Sequence, residues 1–285
     1  MKMKLDNAFY VEPEGIAGGL ALWWSSNVKL AILGEDRNFI DTSISIHGEE
    51  DWFGTFIYVP PYAEDKQKFW ERLASIRKEA NPKWCILGDF NIVASPSDKC
   101  GGLPFDYNSA RWYYEFLDRT LLAEIQCKGG VYTWSNQRSD EATILEKLDR
   151  ALSSLDWNYL FPSAIAIIDV EIASDHSPII LLTSGVMKKI RPDFKFESKW
   201  LVEEECSKVV KEEWKSNGNG TCKGSFRIKL RRTTVKLRNW NREKFGKNRD
   251  SANDVMNKIK QLQDEQLNAE EKQVLHDLKS RLLKI

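Results

Sequence analysis

Between residues 16 and 182 the chain is cut into apolar runs of four to nine residues, most too short for a stable helix and most closed by turn-forming residues. Ile16–Trp24 and Val28–Leu33 are parted by Ser25-Ser26-Asn27. Phe39–Ile46 and Trp52–Val59 are parted by His47-Gly48-Glu49-Glu50. Further runs follow at Trp84–Leu87, Val131–Trp134, Ile144–Leu148, Ile165–Ile172 and Pro178–Leu182. Helical spacing replaces this pattern only briefly. Phe69, Trp70, Leu73 and Ile76 share one helix face, and Asn81-Pro82 is placed to stop it. Trp112, Phe116 and Leu117 mark a second helix over 109–122, and a short one is expected over 153–161. Many strands with few helices between them predict a layered α+β sandwich. Most of the 11 tryptophans fall inside the apolar runs and read as core filling.

The texture changes near residues 186–198. Beyond it, helices are expected over 199–215, 225–248 and 252–284, separated by Asn217-Gly-Asn-Gly220 and by the surroundings of Gly246. We therefore divide the chain into domains at 1–186 and 187–285. The net charge is zero, yet from Val186 onward there are about 25 Lys/Arg against about 15 Asp/Glu, leaving the front acidic by the same margin. That balance suits a cation-binding front and a polyanion-binding back; a solvated helical surface would give it too. The five cysteines are widely spaced with no C-x-x-C pair, which argues against a disulfide framework or a zinc site. With no signal-like stretch and no apolar run of membrane-spanning length, a reduced nuclear or cytoplasmic setting is expected.

Four short motifs carry candidate chemistry. In Leu87-Gly88-Asp89-Phe90-Asn91, strand parity would put Asp89 and Asn91 on one face and Phe90 in the core. A carboxylate can deprotonate water and a carboxamide can donate to a phosphate oxygen, although such a pair also makes ordinary turns. Ser174-Asp175-His176-Ser177-Pro178 sets an imidazole and a carboxylate before a strand, and only three histidines exist. Asp149 in Leu148-Asp-Arg150 can receive an imidazole N–H or simply pair with Arg150. Tyr58 offers a phenol at a strand end, for phosphate or for an ordinary hydrogen bond.

In this order the motifs resemble the endonuclease/exonuclease/phosphatase superfamily, across roughly residues 15–185. Gly18-Gly19-Leu-Ala-Leu-Trp23, Lys99-Cys-Gly-Gly102, Tyr132-Thr-Trp-Ser-Asn136 and Leu148-Asp-Arg-Ala-Leu152 resemble its plant LINE-type branch. The resemblance implies a DNase I-like sandwich of two β-sheets flanked by helices, four layers in all. It makes Asp89 the water-activating base, Asn91 a transition-state donor and His176 the contact to the scissile phosphate. Asp149 becomes the partner of His176, Tyr58 a phosphate ligand and Asp175 part of a magnesium (or manganese) site. Thr133, Trp134 and Asn136 would meet DNA.

The stretch Lys223–Arg249, with about 11 Lys/Arg and one acid, adds Arg231, Arg232 and Arg238 as candidate phosphate contacts, unless its apolar positions make it a packing helix. Trp200, Cys206 and Trp214, with Trp240-Asn-Arg-Glu-Lys-Phe-Gly246, resemble the helical connector between nuclease and reverse transcriptase in such elements, which makes a reverse transcriptase the implied partner. The family's Asn strand and metal-binding Glu strand are not found before Ile16, so an N-terminally incomplete domain with weak or absent metal binding and cleavage is expected. Glu12 and Glu14 lack the surrounding pattern. A non-catalytic nucleic-acid-binding remnant and a small-molecule phosphatase are the alternative functions.

Overall fold

The computed structural model describes residues 5–13, 19–46, 50–77, 82–138, 142–171, 174–185, 196–215, 223–263 and 267–284. They fall into two compact units. The first comprises Met1–Met187 with Ile259–Asp277, the second Lys188–Lys258 with Leu278–Ile285.

The first unit is α+β, with mixed sheets flanked by helices. Strands β1 (Asn7–Val11) and β2 (Leu20–Trp24) form an antiparallel pair. The main sheet has six strands in the order β3-β4-β5-β6-β12-β8. Here β3 is Val28–Asp36, β4 Phe39–Ile46, β5 Trp52–Tyr58, β6 Trp84–Asp89, β8 Ala123–Glu124 and β12 Asp149–Ser153. Only β5 and β6 run parallel in it, joined by the crossover helix α1 (Ala63–Ile76). A three-stranded sheet, β14-β13-β9, is built from Ile179–Leu182, Ile165–Ile168 and Cys127–Gly129. Another, β10-β11-β7, is built from Trp134–Ser135, Leu145–Glu146 and Lys99–Cys100.

The main sheet is buried on both faces. On one, Ile57, Trp84, Ile86 and Leu152 meet Trp70 and Leu73 of α1 and Tyr113 and Phe116 of α2 (Arg111–Thr120). On the other, Ile44, Trp52, Cys85 and Ala151 meet Trp157 and Phe161 of α3 (Leu155–Leu160) and its C-cap, with Ala166 of β13 and partly buried Ile179 of β14. Trp70, Trp84 and Trp157 are almost wholly inaccessible, so these tryptophans do fill the core.

Several elements differ from expectation. Strand β1 was not expected, and the expected 252–284 helix falls into two, one ending at Gln263 and the next beginning at Ala269. Two further differences are instructive. Strand β12 starts where the sequence suggested a strand ending, and it lies inside the sheet beside β6. Its second residue is a buried arginine, which hides the apolar pattern. Arg150 is 1% exposed and donates to Asp98 Oδ2 at 2.8 Å and Glu124 Oε2 at 2.9 Å. A charge so buried persists because it is paired twice, to Asp98, which is buried with it, and to Glu124 on the exposed edge strand β8. The second difference is α5, which runs unbroken from Lys223 to Gln263 through Gly246. An interior glycine costs a helix only about 1 kcal/mol relative to alanine, and no proline follows it there.

In the second unit, α4 (Glu204–Lys215) and α5 enclose a small core of Trp200, Cys206 and Leu237. Lys244 pairs with Glu203 and Glu205. Helix α6 (Ala269–Lys284) begins in the first unit. Glu14, the 186–195 segment and the 217–220 turn lie outside the described residues. No helix among the described residues is long and apolar enough to cross a membrane.

Candidate active site

The site is assembled at the ends of three neighbouring strands of the main sheet. Asp89 closes β6, paired on one side with Tyr58 of β5 and on the other with Asp149 of β12. Two carboxylates directly opposite each other on adjacent strands repel. The backbone fixes them there: Val59 N–H donates to Asp89 O and Phe90 N–H to Leu148 O, both at 2.8 Å. Phe90 is fully buried.

Asn91 reaches the same rim, but not by strand parity. Strand β6 ends at Asp89, and Asn91 is left-handed, with φ 47°. The Asp89 carboxylate captures the Asn91 backbone N–H at 2.7 Å, closing an Asx turn that swings the carboxamide round. Asparagine tolerates this conformation better than most residues. The Asn91 amide donates to Val59 O at 2.8 Å, and its second N–H is left for a ligand.

His176 comes from the loop before β14. Its Nδ1 lies 2.8 Å from Asp149 Oδ2, so an ionised Asp149 holds the N–H at Nδ1 and leaves Nε2 for a ligand. The Asp149 hydrogen bond pushes the His176 pKa up, outweighing burial, with Asp89 and Asp175 adding to the rise. Asp89 is pushed up to about 6, first by burial and then by Asp149, against the Asn91 N–H, His176 and Lys66. A carboxylate with a pKa near 6 and a strengthened imidazolium beside it are suited to general-base and anion-binding work near neutrality.

Lys66 of α1 went unnoticed in the sequence, where it is one charge in a polar helix segment. Its Nζ donates to Asn91 O at 2.6 Å, and burial lowers its pKa. It thus ties down the left-handed turn and supplies positive charge to Asp89. Replacing Lys66 with Met should raise the Asp89 pKa further, because a stabilising cation is gone. The acid limb of a pH–rate profile should move to higher pH and the rate at pH 7 fall about tenfold, with Lys66→Arg close to wild type. An unshifted acid limb in the Met variant would remove Lys66 from the site.

The remaining candidates are placed as follows. Tyr58 is half-buried beside Asp89. Asp175 accepts from Trp134 Nε1 at 3.0 Å, which ties Trp134 to the His176 loop. Asn136 spends its side chain on loop closure, donating to Ala142 O and accepting from the Arg138 and Ile144 N–H groups. Thr133 has 0% exposure, so its side chain presents no surface to DNA. Arg231, Arg232 and Arg238 are exposed on α5 in the second unit.

A metal is implied by the sequence resemblance, and the described residues do not make a site for one. Among the described residues no three His, Cys, Asp or Glu side chains stand close enough to hold an ion. Asp175 is committed through Oδ2 to Trp134, and Glu12 is exposed beyond the end of β1.

A carboxylate–imidazole couple opposite a second carboxylate, at the rim of a two-faced sheet, defines an α+β domain equipped for proton transfer beside an anion. The family model described as Endonuclease/Exonuclease/phosphatase family matches residues 4–176, and the chain belongs to that family. Among solved structures it is similar to the endonuclease domain of TRAS1, a telomere-specific non-LTR retrotransposon. That match has 13% identity and TM-score 0.49, covering 65% of this chain and 81% of that one. It is also similar to the 3′ phosphatase NExo from Neisseria (18% identity, TM-score 0.41, 60% and 77% covered). AP endonuclease LMAP from Leishmania major gives 14% identity and TM-score 0.42, with 61% and 69% covered. No curated protein matches.

Proposed function

We propose that the chain is a phosphodiesterase acting on DNA, a LINE-type endonuclease that nicks one strand slowly. The supporting observation is the Asp149–His176 hydrogen bond set against Asp89 on the adjoining strand. In this reading Asp89, ionised above pH 6 or so, takes a proton from a water whose oxygen bonds to phosphorus. The bridging P–O bond opposite breaks as that bond forms, and the departing alkoxide takes its proton from solvent. The imidazolium of His176, steadied by Asp149, offers Nε2–H to a phosphate oxygen as charge builds there. The free N–H of Asn91 and the Tyr58 hydroxyl complete the cradle. A domain at 1–186 would carry the chemistry and 187–285 would be the basic connector. A reverse transcriptase of the parent element is the partner such a nick would serve.

The test is conversion of supercoiled plasmid to open circles, run with magnesium, with manganese and with chelator. Nicking that disappears in His176→Ala is expected. Identical nicking by wild type and His176→Ala would mean a contaminating nuclease and end the proposal. A binding-only remnant is the second reading, favoured by the exposed arginines of α5. Salt-sensitive plasmid retention without nicking, lost in an Arg231, Arg232, Arg238→Glu variant, would support it instead.

A further inference from the structure

Thr133 is polar, wholly buried and outside the chemistry described above. Its hydrogen bonds are concentrated on the two segments that carry Asp149 and His176. The side-chain Oγ1 accepts from both the Leu148 and the Asp149 backbone N–H groups, each at 2.9 Å. This is the point where the chain leaves the small sheet at β11 and enters the main sheet at β12. Two successive N–H groups at such a crossing have no single strand to pair with, and one hydroxyl oxygen serves both. The main chain of Thr133 completes the junction. Its N–H donates to Glu146 O at 2.9 Å, and its carbonyl accepts from Ser177 N–H at 2.7 Å. The next two residues fasten the same loop, through the Trp134–His176 bridge and the bond from Ser135 N–H to Asp175 O at 3.0 Å.

We propose that Thr133 is the positioning residue of the Asp149–His176 couple, its hydroxyl fixing the strand entry of Asp149 while its carbonyl fixes the loop of His176. This rests on the reading of that couple as the catalytic one. A hydrogen bond between side chains on two different segments holds only if both backbones are fixed to within tenths of an ångström. Thr133 is bonded to both and, wholly buried, presents no side-chain surface of its own.

The role is read without relying on turnover. In 15N-labelled full-length protein, the ring N–H of His176 bound to Asp149 should give a low-field, exchange-protected proton resonance, assigned by its loss in His176→Gln. It should persist in Thr133→Ser, which keeps the hydroxyl. It should vanish in Thr133→Val, which keeps the shape, while the signals of the other two histidines stay in place. In the nicking assay Thr133→Val should lower kcat about 100-fold and change KM for plasmid less than about twofold, with Thr133→Ser restoring kcat. If Thr133→Val does not fold, Thr133→Cys is compared with Thr133→Ser. A weak sulfur acceptor should lose the resonance that serine keeps, and equal behaviour of the two overturns the proposal. Retention of the resonance in a folded Thr133→Val also overturns it. If the wild type shows the resonance but nicks no DNA, and the Val and Ser variants differ as stated, the endonuclease reading falls and the positioning role stands.

Discussion

Asp89→Asn should make the protein more stable at pH 7 and remove its nicking. In the folded chain the Asp89 carboxyl has a pKa of about 6 against an ordinary value of 3.8, because it is buried beside Asp149. Between those two values the folded state holds a proton that the unfolded state has given up. Stability from this group is therefore lost as pH rises from about 4 to about 6, and the loss is complete at pH 7. Two units correspond to roughly 3 kcal/mol as an upper figure. Asparagine is nearly isosteric, carries no charge and keeps an oxygen to accept the Asn91 N–H. We expect a gain of about 1–3 kcal/mol at pH 7, seen as several degrees in melting temperature, and no gain at pH 4. The same change deletes the proposed base, so nicking should drop about a thousandfold. A variant less stable than wild type at pH 7 would show that Asp89 is favourably placed as an anion, which contradicts the electrostatics of the site.

Such opposition between stability and activity is what a site with strained electrostatics produces. It also bears on what a sequence can reveal. Asp89 and His176 were legible because each sits in a short motif beside an apolar run. The turn joining Asp89 to Asn91 was not, since strand parity and a left-handed Asx turn bring the same residues to one rim by different routes. Strand β12 was missed for a related reason. Hydrophobic periodicity has no sign for a buried Arg150 whose countercharges, Asp98 and Glu124, come from distant parts of the chain. Thr133 was assigned to DNA because the segment Tyr132–Asn136 resembles the part of the family that meets nucleic acid. Its burial, and the two backbone N–H groups it accepts, depend on a crossing between sheets that no local pattern encodes. Lys66 had no signal beyond its charge. Local motifs thus named the candidate reacting groups, and long-range contacts supplied what holds and tunes them.

Gly88→Ala should destroy the site from the backbone side. Gly88 precedes Asp89 in β6 and pairs with Ile57 of β5. Its φ is 148°, a conformation that residues with side chains rarely adopt, and a Cβ built there would lie 2.0 Å from Ile57 O. That oxygen belongs to a parallel ladder packed on both faces, so it cannot retreat without pulling Ile57 from the core or opening the ladder. Either movement separates Tyr58 from Asp89, the next pair along, and tilts Asp89 away from Asp149. We expect a loss above about 3 kcal/mol, the scale of forced overpacking, together with loss of nicking. Gly34→Ala is the matched control. Gly34 lies at the irregularity in β3, and a Cβ there meets nothing within 4 Å. Its effect should stay within about 0.5 kcal/mol. If the two alanine variants melt together, the tight approach of β6 to β5 is not what sets Asp89 beside its neighbours. If Gly88→Ala melts early while Gly34→Ala does not, the position of the proposed base is fixed by a residue with no chemistry of its own.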